Sequence, residues 1–224
     1  MGGVLLIKAI CFDLDETLLN RSESLLNFLV NQYERQSSIL KTIEKSVFIQ
    51  RFIELDQRGY VWKDKVYTQL LQEHGIDICF VSVLLEDYIN LFFESAIAFP
   101  YMHETLEKLH EKGYLMAIIS NGFGSFQYRN IEALHIEKYF KKIYISEWEG
   151  LKKPDPRIFE LALKELDVKA RETIFIGDHP INDIKAAKDI GMKTIWKNNG
   201  EKHINEAEYE IKELNEIMPI LVNN

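Results

Sequence analysis

Ile10-Cys11-Phe12-Asp13-Leu14-Asp15-Glu16-Thr17-Leu18 is the stretch on which the reading of this chain turns. An apolar run over residues 4–12 ends in two acids one residue apart. A short apolar run with a polar stop reads as a buried strand, and residues 8–12 are its core. Open α/β sheets keep their ligands at the carboxyl ends of their strands. Two carboxylates at such an edge repel unless a cation sits with them or one holds a proton. A polar loop after a core strand is the plain alternative, and acidic loops further along the chain weigh against it.

The chain has 224 residues, is 46% apolar and carries a formal charge of -8. That length suits one large domain, or a core with a smaller insert, and the apolar content argues against disorder. Nucleic-acid affinity comes largely from clustered Lys and Arg. No long basic block is present, so nucleic acid is not an expected partner. A phosphorylated small molecule still suits an acidic protein whose local charge is inverted by a metal or a lysine. Cys11 and Cys79 have no CxxC or zinc spacing, and both read as small buried hydrophobes. No apolar stretch reaches the ~18 residues of a membrane span. No signal peptide is expected either, and the reducing cytoplasm is the expected compartment.

Residues 22–95 carry apolar residues at spacings of three and four. Leu25, Leu26, Phe28 and Leu29 begin one face, and Val47, Phe48 and Phe52 belong to another. Amphipathic helices are expected, broken at Gly59 and Gly75. So long a helical run is no ordinary α/β connection. The expected organisation is an α/β core domain over 1–20 and 98–224, with a helical cap domain over 21–97. Linkers are expected near 18–21 and 98–101.

After Pro100 strands and helices alternate: helix 103–112, strand 114–119, helix 126–134, strand 142–145. A helix runs from Asp155-Pro156, where Asp caps free amides and Pro suits the first turn. Strand 173–176, a helix from 181 or 182 to 190, and strand 193–196 follow. The tail, 204–214, reads as polar helix, packed down by Trp196 and Tyr209. The fold class is α/β: a Rossmann-like parallel sheet of about five strands, helices on both faces, and a helical subdomain.

Four polar exit loops share one rim of such a sheet: Asp13/Asp15/Thr17, Ser120/Asn121, Lys152/Lys153/Pro154, and Asp178 with Asp183. Three or four carboxylates suit a hard divalent cation such as magnesium. A hydroxyl, a backbone amide and a lysine beside it form an anion pocket. Metal and lysine together neutralise a transferring phosphoryl group.

Taken together, DLDETL at 13–18, Ser120-Asn121-Gly122, Lys153-Pro154, and Gly177-Asp178 followed by Asp183 resemble the haloacid dehalogenase-like hydrolase superfamily over nearly the whole chain. The resemblance implies Asp13 as nucleophile, forming an aspartyl-phosphate. It implies Asp15 as general acid and then base, and Thr17 holding the loop and Asp15 by hydrogen bonds. Ser120 and the Asn121 amide are the implied phosphoryl grip, with Lys153 bridging phosphate and nucleophile. Mg2+ is the implied cofactor, on Asp13, the Asp15 carbonyl, Asp178 and Asp183. The long helical insert resembles the family's small helical cap.

An acid at position 15 favours phosphate esters over carbon–halogen bonds. The expected function is a magnesium-dependent phosphatase of a small phosphorylated metabolite, as monomer or homodimer. A phosphomutase, a 2-haloacid dehalogenase and a non-catalytic binding protein are the alternatives. Glu16 stands where the family commonly has glycine. His179 reads as a pocket-rim or a loop-capping residue. Lys152 is the alternative phosphate lysine. Arg51, Arg58, Tyr60 and Trp62 are candidate leaving-group contacts, with packing or solvated roles the more ordinary reading.

Overall fold

All four residues of β1 (Ala9–Phe12) are buried, as a strand covered on both faces requires. The computed structural model describes residues 6–201 and 206–222. The chain forms two compact units, one reaching to Asn20 and resuming at Ile97, the other Arg21–Ala96.

The helical unit contains α1 (Arg21–Arg35), α2 (Ser37–Leu40), α3 (Lys45–Asp56), α4 (Lys63–Glu73) and α5 (Val81–Leu91). Their buried faces supply an aromatic core: Phe28 meets Tyr88 edge-on at 5.3 Å, and Phe52 meets Tyr67 at 5.1 Å. Leu26 and Val47, assigned by spacing to apolar faces, are exposed. Cys79 is exposed as well. Its backbone N–H donates to the Asp77 side chain in a short 3-10 turn that stands at the surface.

The α/β unit adds α6 (Met102–Glu111), β2 (Leu115–Ser120), α7 (Gly124–Ala133), β3 (Lys142–Ile145), α8 (Ser146–Glu149) and α9 (Pro156–Leu166). After these come β4 (Thr173–Gly177), α10 (Ala186–Asp189), β5 (Lys193–Lys197), β6 (Tyr209–Ile211) and α11 (Ile217–Val222). The sheet order is β3-β2-β1-β4-β5-β6, and every pairing is parallel. On one face Ala9, Cys11, Ala117, Ile119 and Phe175 pack with Phe159, Ala162 and Leu166 of α9 and Ala186 and Ala187 of α10.

Among the described residues the sheet thus has six strands, where about five were expected. The sixth comes from the tail read as helix. Tyr209, Glu210 and Ile211 pair with Ile195, Trp196 and Lys197, because β5 otherwise leaves an unpaired edge and Ile211 can be buried there. The tail's expected beginning, 204–205, lies outside the described residues. The helix expected after β4 begins as a wide π-turn, Pro180–Lys185, before α10. His179 O accepts from both Asp183 N (3.1 Å) and Ile184 N (3.2 Å).

The two strands of chain joining the units lie side by side within the α/β unit. Asn20 N donates to Ile97 O (2.8 Å) and Phe99 N to Leu18 O (3.0 Å).

Asp56 is the most demanding buried charge of the helical unit. Arg21 Nη2 lies 2.9 Å from one carboxylate oxygen and the Lys63 ammonium meets the other. Removing one partner of a buried pair leaves an uncompensated charge, at a cost of about 3–5 kcal/mol. Asp56→Ala is therefore expected to lose about that much in urea unfolding, and a loss under ~1 kcal/mol would contradict this account.

Candidate active site

Asp13 is the first residue past β1, and its N–H extends the ladder by donating to Ile176 O at 2.9 Å. Its carboxylate is buried against Lys153. Lys153 Nζ lies 2.6 Å from Asp13 Oδ1 and 2.6 Å from Asp183 Oδ1, with the Phe175 ring 5.3 Å away. Asp178 is the first residue past β4, and its carbonyl accepts from Trp196 Nε1 at 2.7 Å. One oxygen from each of Asp13, Asp178 and Asp183 lies within 4.8 Å of the others. All are hard carboxylate donors, the set that suits magnesium.

Glycines make room for this cluster. A Cβ on Gly177 would fall 2.4 Å from Asp183 Oδ2, so only glycine lets that carboxylate fold back over the end of β4. There it accepts from His179 N at 3.0 Å. His179 itself is a cap: Nδ1 accepts from Ile181 N (3.1 Å) and Asn182 N (3.0 Å), which places its ring proton on Nε2.

Asn121 clasps the backbone of Lys153, accepting from Lys153 N and donating to Lys153 O, both at 2.9 Å. The two loops are thereby held in register. Lys152 is exposed, while Lys153 is buried in contact with Asp13 and Asp183.

Asp15 is held by a residue that the pattern of motifs did not single out. Gln127 Nε2 donates to Asp15 Oδ2 at 2.6 Å and to Ser120 Oγ at 2.8 Å. The signal was faint: a polar residue on the inner face of α7, four residues past Phe123. Thr17, expected to hold Asp15, does not. Its hydroxyl is buried without a hydrogen-bond partner. Glu16 adopts φ 57°, a left-handed conformation natural to glycine and costing other residues about 1 kcal/mol or more. Asn199 Nδ2 supports the turn by donating to Glu16 O at 2.8 Å. Arg51 is engaged with Glu54 and Glu73 within the helical unit.

One lysine against three carboxylates leaves the cluster electron-rich. Burial, then the neighbouring acids, pushes Asp178 up to about 9. Burial pushes Asp13 up to about 7, opposed by Lys153 and assisted by Asp183. Burial disfavours the Lys153 charge, but Asp13 and Asp183 outweigh it and raise its pKa.

The family model described as haloacid dehalogenase-like hydrolase matches residues 10–197. The chain belongs to this family. It is 30% identical over 223 residues to the glyceraldehyde 3-phosphate phosphatase of Pyrococcus furiosus, covering 96% of this chain and 93% of the relative. Its fold matches an HAD phosphatase from Thermococcus onnurineus at TM-score 0.69, with 28% identity and 96% and 98% coverage. It also matches the HAD-hydrolase YfnB of Bacillus subtilis, solved bound to magnesium, at TM-score 0.76, with 24% identity and 96% and 99% coverage. No helix among the described residues is long and apolar enough to cross a membrane.

The raised carboxyls set a pH dependence. Unfolded Asp titrates near 4, so between about pH 4 and 9 the metal-free folded state holds more protons than the unfolded one. Stability then falls as pH rises. With chelator present, Tm is expected to decline from about pH 5 to 9, and Asp178→Asn should flatten the decline. Added magnesium should raise Tm more at the alkaline end, because binding displaces those protons. A Tm that rises over this range in chelator would contradict the assignment.

Proposed function

We propose that this chain hydrolyses small phosphomonoesters through an aspartyl-phosphate on Asp13. It is a phosphoric monoester hydrolase, and its substrate is a small phosphorylated metabolite. The observation that carries the reading is the buried Asp13 carboxylate held by Lys153 beside Asp178 and Asp183, with a second acid, Asp15, two residues on.

In the first step an Asp13 oxygen attacks phosphorus and the bond from phosphorus to the leaving oxygen breaks. Asp15 gives its proton to that oxygen, so the product departs as an alcohol. In the second step water attacks phosphorus, Asp15 takes a proton from it, and the Asp13–phosphorus bond breaks, releasing phosphate. Lys153 holds Asp13 in place and offers positive charge to the phosphoryl oxygens. Ser120 Oγ and the Asn121 N–H are assigned to those same oxygens. Asp13, Asp178, Asp183 and the Asp15 carbonyl are assigned to Mg2+. When bound, the cation supplies further neutralisation of phosphoryl charge. Asp15 separates this chemistry from halide displacement, whose leaving group needs no proton.

The helical unit is assigned the role of cap and the choice of substrate. A three-carbon phosphate is the first candidate, since the Pyrococcus relative is named for glyceraldehyde 3-phosphate. A phosphate-release screen over triose and sugar phosphates, phospho-acids and nucleotides is expected to find turnover. Asp13→Asn should lower it by about a thousandfold or more. Chelation should abolish activity and magnesium restore it. Full activity in Asp13→Asn would overturn the mechanism.

A further inference from the structure

Gln127 lies outside every motif that carries the family resemblance, yet it is the one hydrogen-bond partner of the Asp15 carboxyl among the described residues. The residue is 2% exposed. It projects from the first turn of α7, and its backbone N–H is fixed on Phe123 O at 2.9 Å. The nitrogen of the Gln127 amide, not its oxygen, faces Asp15, so Asp15 Oδ2 accepts and the carboxyl's other oxygen is left for the proton that a general acid carries. The two amide protons go to Asp15 (2.6 Å) and Ser120 Oγ (2.8 Å), with Asn121 O at 3.4 Å behind them. The amide oxygen faces Asn130 Nδ2 at 3.5 Å.

The surrounding chain is shaped to let this side chain through. Gly122 has φ 152°, and a Cβ there would meet Gln127 Cγ at 2.8 Å. A residue with a side chain at 122 would push Gln127 off Asp15. The contact is therefore built into two elements at once, the loop after β2 and the first turn of α7. A side chain anchored on a helix holds its target more closely than one on a loop.

We propose that Gln127 is a positioning residue for the phosphatase reaction: it fixes the Asp15 carboxyl in one orientation beside the phosphoryl-binding Ser120. The proposal rests on the reading of Asp15 as general acid. Asp15 acts on the leaving group, and Gln127 acts through Asp15. Gln127 also touches Ser120, so its loss has two separable consequences. Loosening Asp15 harms only those esters whose leaving oxygen must be protonated as it departs. Loosening Ser120 harms every phosphate ester alike.

The leaving group distinguishes these outcomes. An alkyl phosphate needs the proton, whereas 2,4-dinitrophenyl phosphate releases an anion stable without it. The quantity to compare is kcat/KM, which runs only through departure of the leaving group and so excludes the hydrolytic step where Asp15 serves as base. The alkyl substrate is the one that wild type turns over fastest in the screen above. Gln127→Met, close in volume and without donors, is expected to lose about thirtyfold or more in kcat/KM on that substrate and less than about threefold on dinitrophenyl phosphate. Gln127→Asn keeps an amide one methylene too short to reach, and should show the same asymmetry if the Met variant folds poorly. Asp15→Asn should show the pattern more strongly, and the double variant Asp15→Asn/Gln127→Met should lose no more than about threefold further on the alkyl phosphate, the share that runs through Ser120. Equal losses on both substrates in the Gln127 variants, or additive losses in the double variant, overturn the positioning role. Equal losses in Asp15→Asn itself overturn instead the reading of Asp15 on which it rests.

Discussion

The ammonium of Lys153 between Asp13 and Asp183 is the interaction on which the rest of the α/β unit's rim depends. Burying carboxylates is costly unless each is paired and hydrogen-bonded. Here one cation serves two of them, and Asp178 stands in the same cluster without a second lysine. The deficit shows as acids pushed toward their protonated forms, Asp178 more than Asp13. Such a cluster holds negative charge in reserve for a divalent cation. Pairing with Lys153 offsets the burial that pushes the Asp13 carboxyl toward protonation.

The surroundings of that lysine are arranged to keep it there. Asn121 spends both ends of its side-chain amide on the Lys153 backbone, so the exit loop of β2 fixes the loop that carries the lysine. Gly177 yields the space into which Asp183 folds. The π-turn at Pro180–Lys185 follows from the same geometry, since His179 O serves Asp183 N and Ile184 N together while its imidazole caps the next two amides. Wide turns of this kind are frequent at functional sites. The parallel sheet supplies the remaining constraint. Phe12 is level with Ile176 and Ile118, so β4 and β2 run one and two residues further than β1, and Asp13, Asp178 and Asn121 leave the same edge of the sheet in a short stagger.

The helical unit solves a different problem. It holds Asp56 with Arg21 and Lys63, and Asp87 with Arg35 and Gln32, inside a bundle whose centre is aromatic. Tyr67 completes the second network by donating to Gln32 Oε1 at 2.7 Å. Buried polar groups that are all paired define one packing rather than several. That is what a small bundle needs when its apolar faces, with Leu26 and Val47 exposed, are narrower than spacing alone suggests.

Much of this was legible in the chain itself. The apolar run into Asp13, the alternation of strands and helices, and the acids at Asp178 and Asp183 are local patterns, and strand ends in a parallel sheet must share a rim. Those features determined the fold class and brought the acids and Lys153 together in advance. Tertiary structure alone decided the rest, because each remaining feature depends on a partner distant in sequence. Tyr209–Ile211 became a strand only because β5 offered an open edge. Cys79 was left exposed by a turn that its composition does not reveal. Asp15 found Gln127, 112 positions away, rather than the nearby Thr17. A hydrogen bond between a loop and a helix that meet only after folding leaves no periodicity to read.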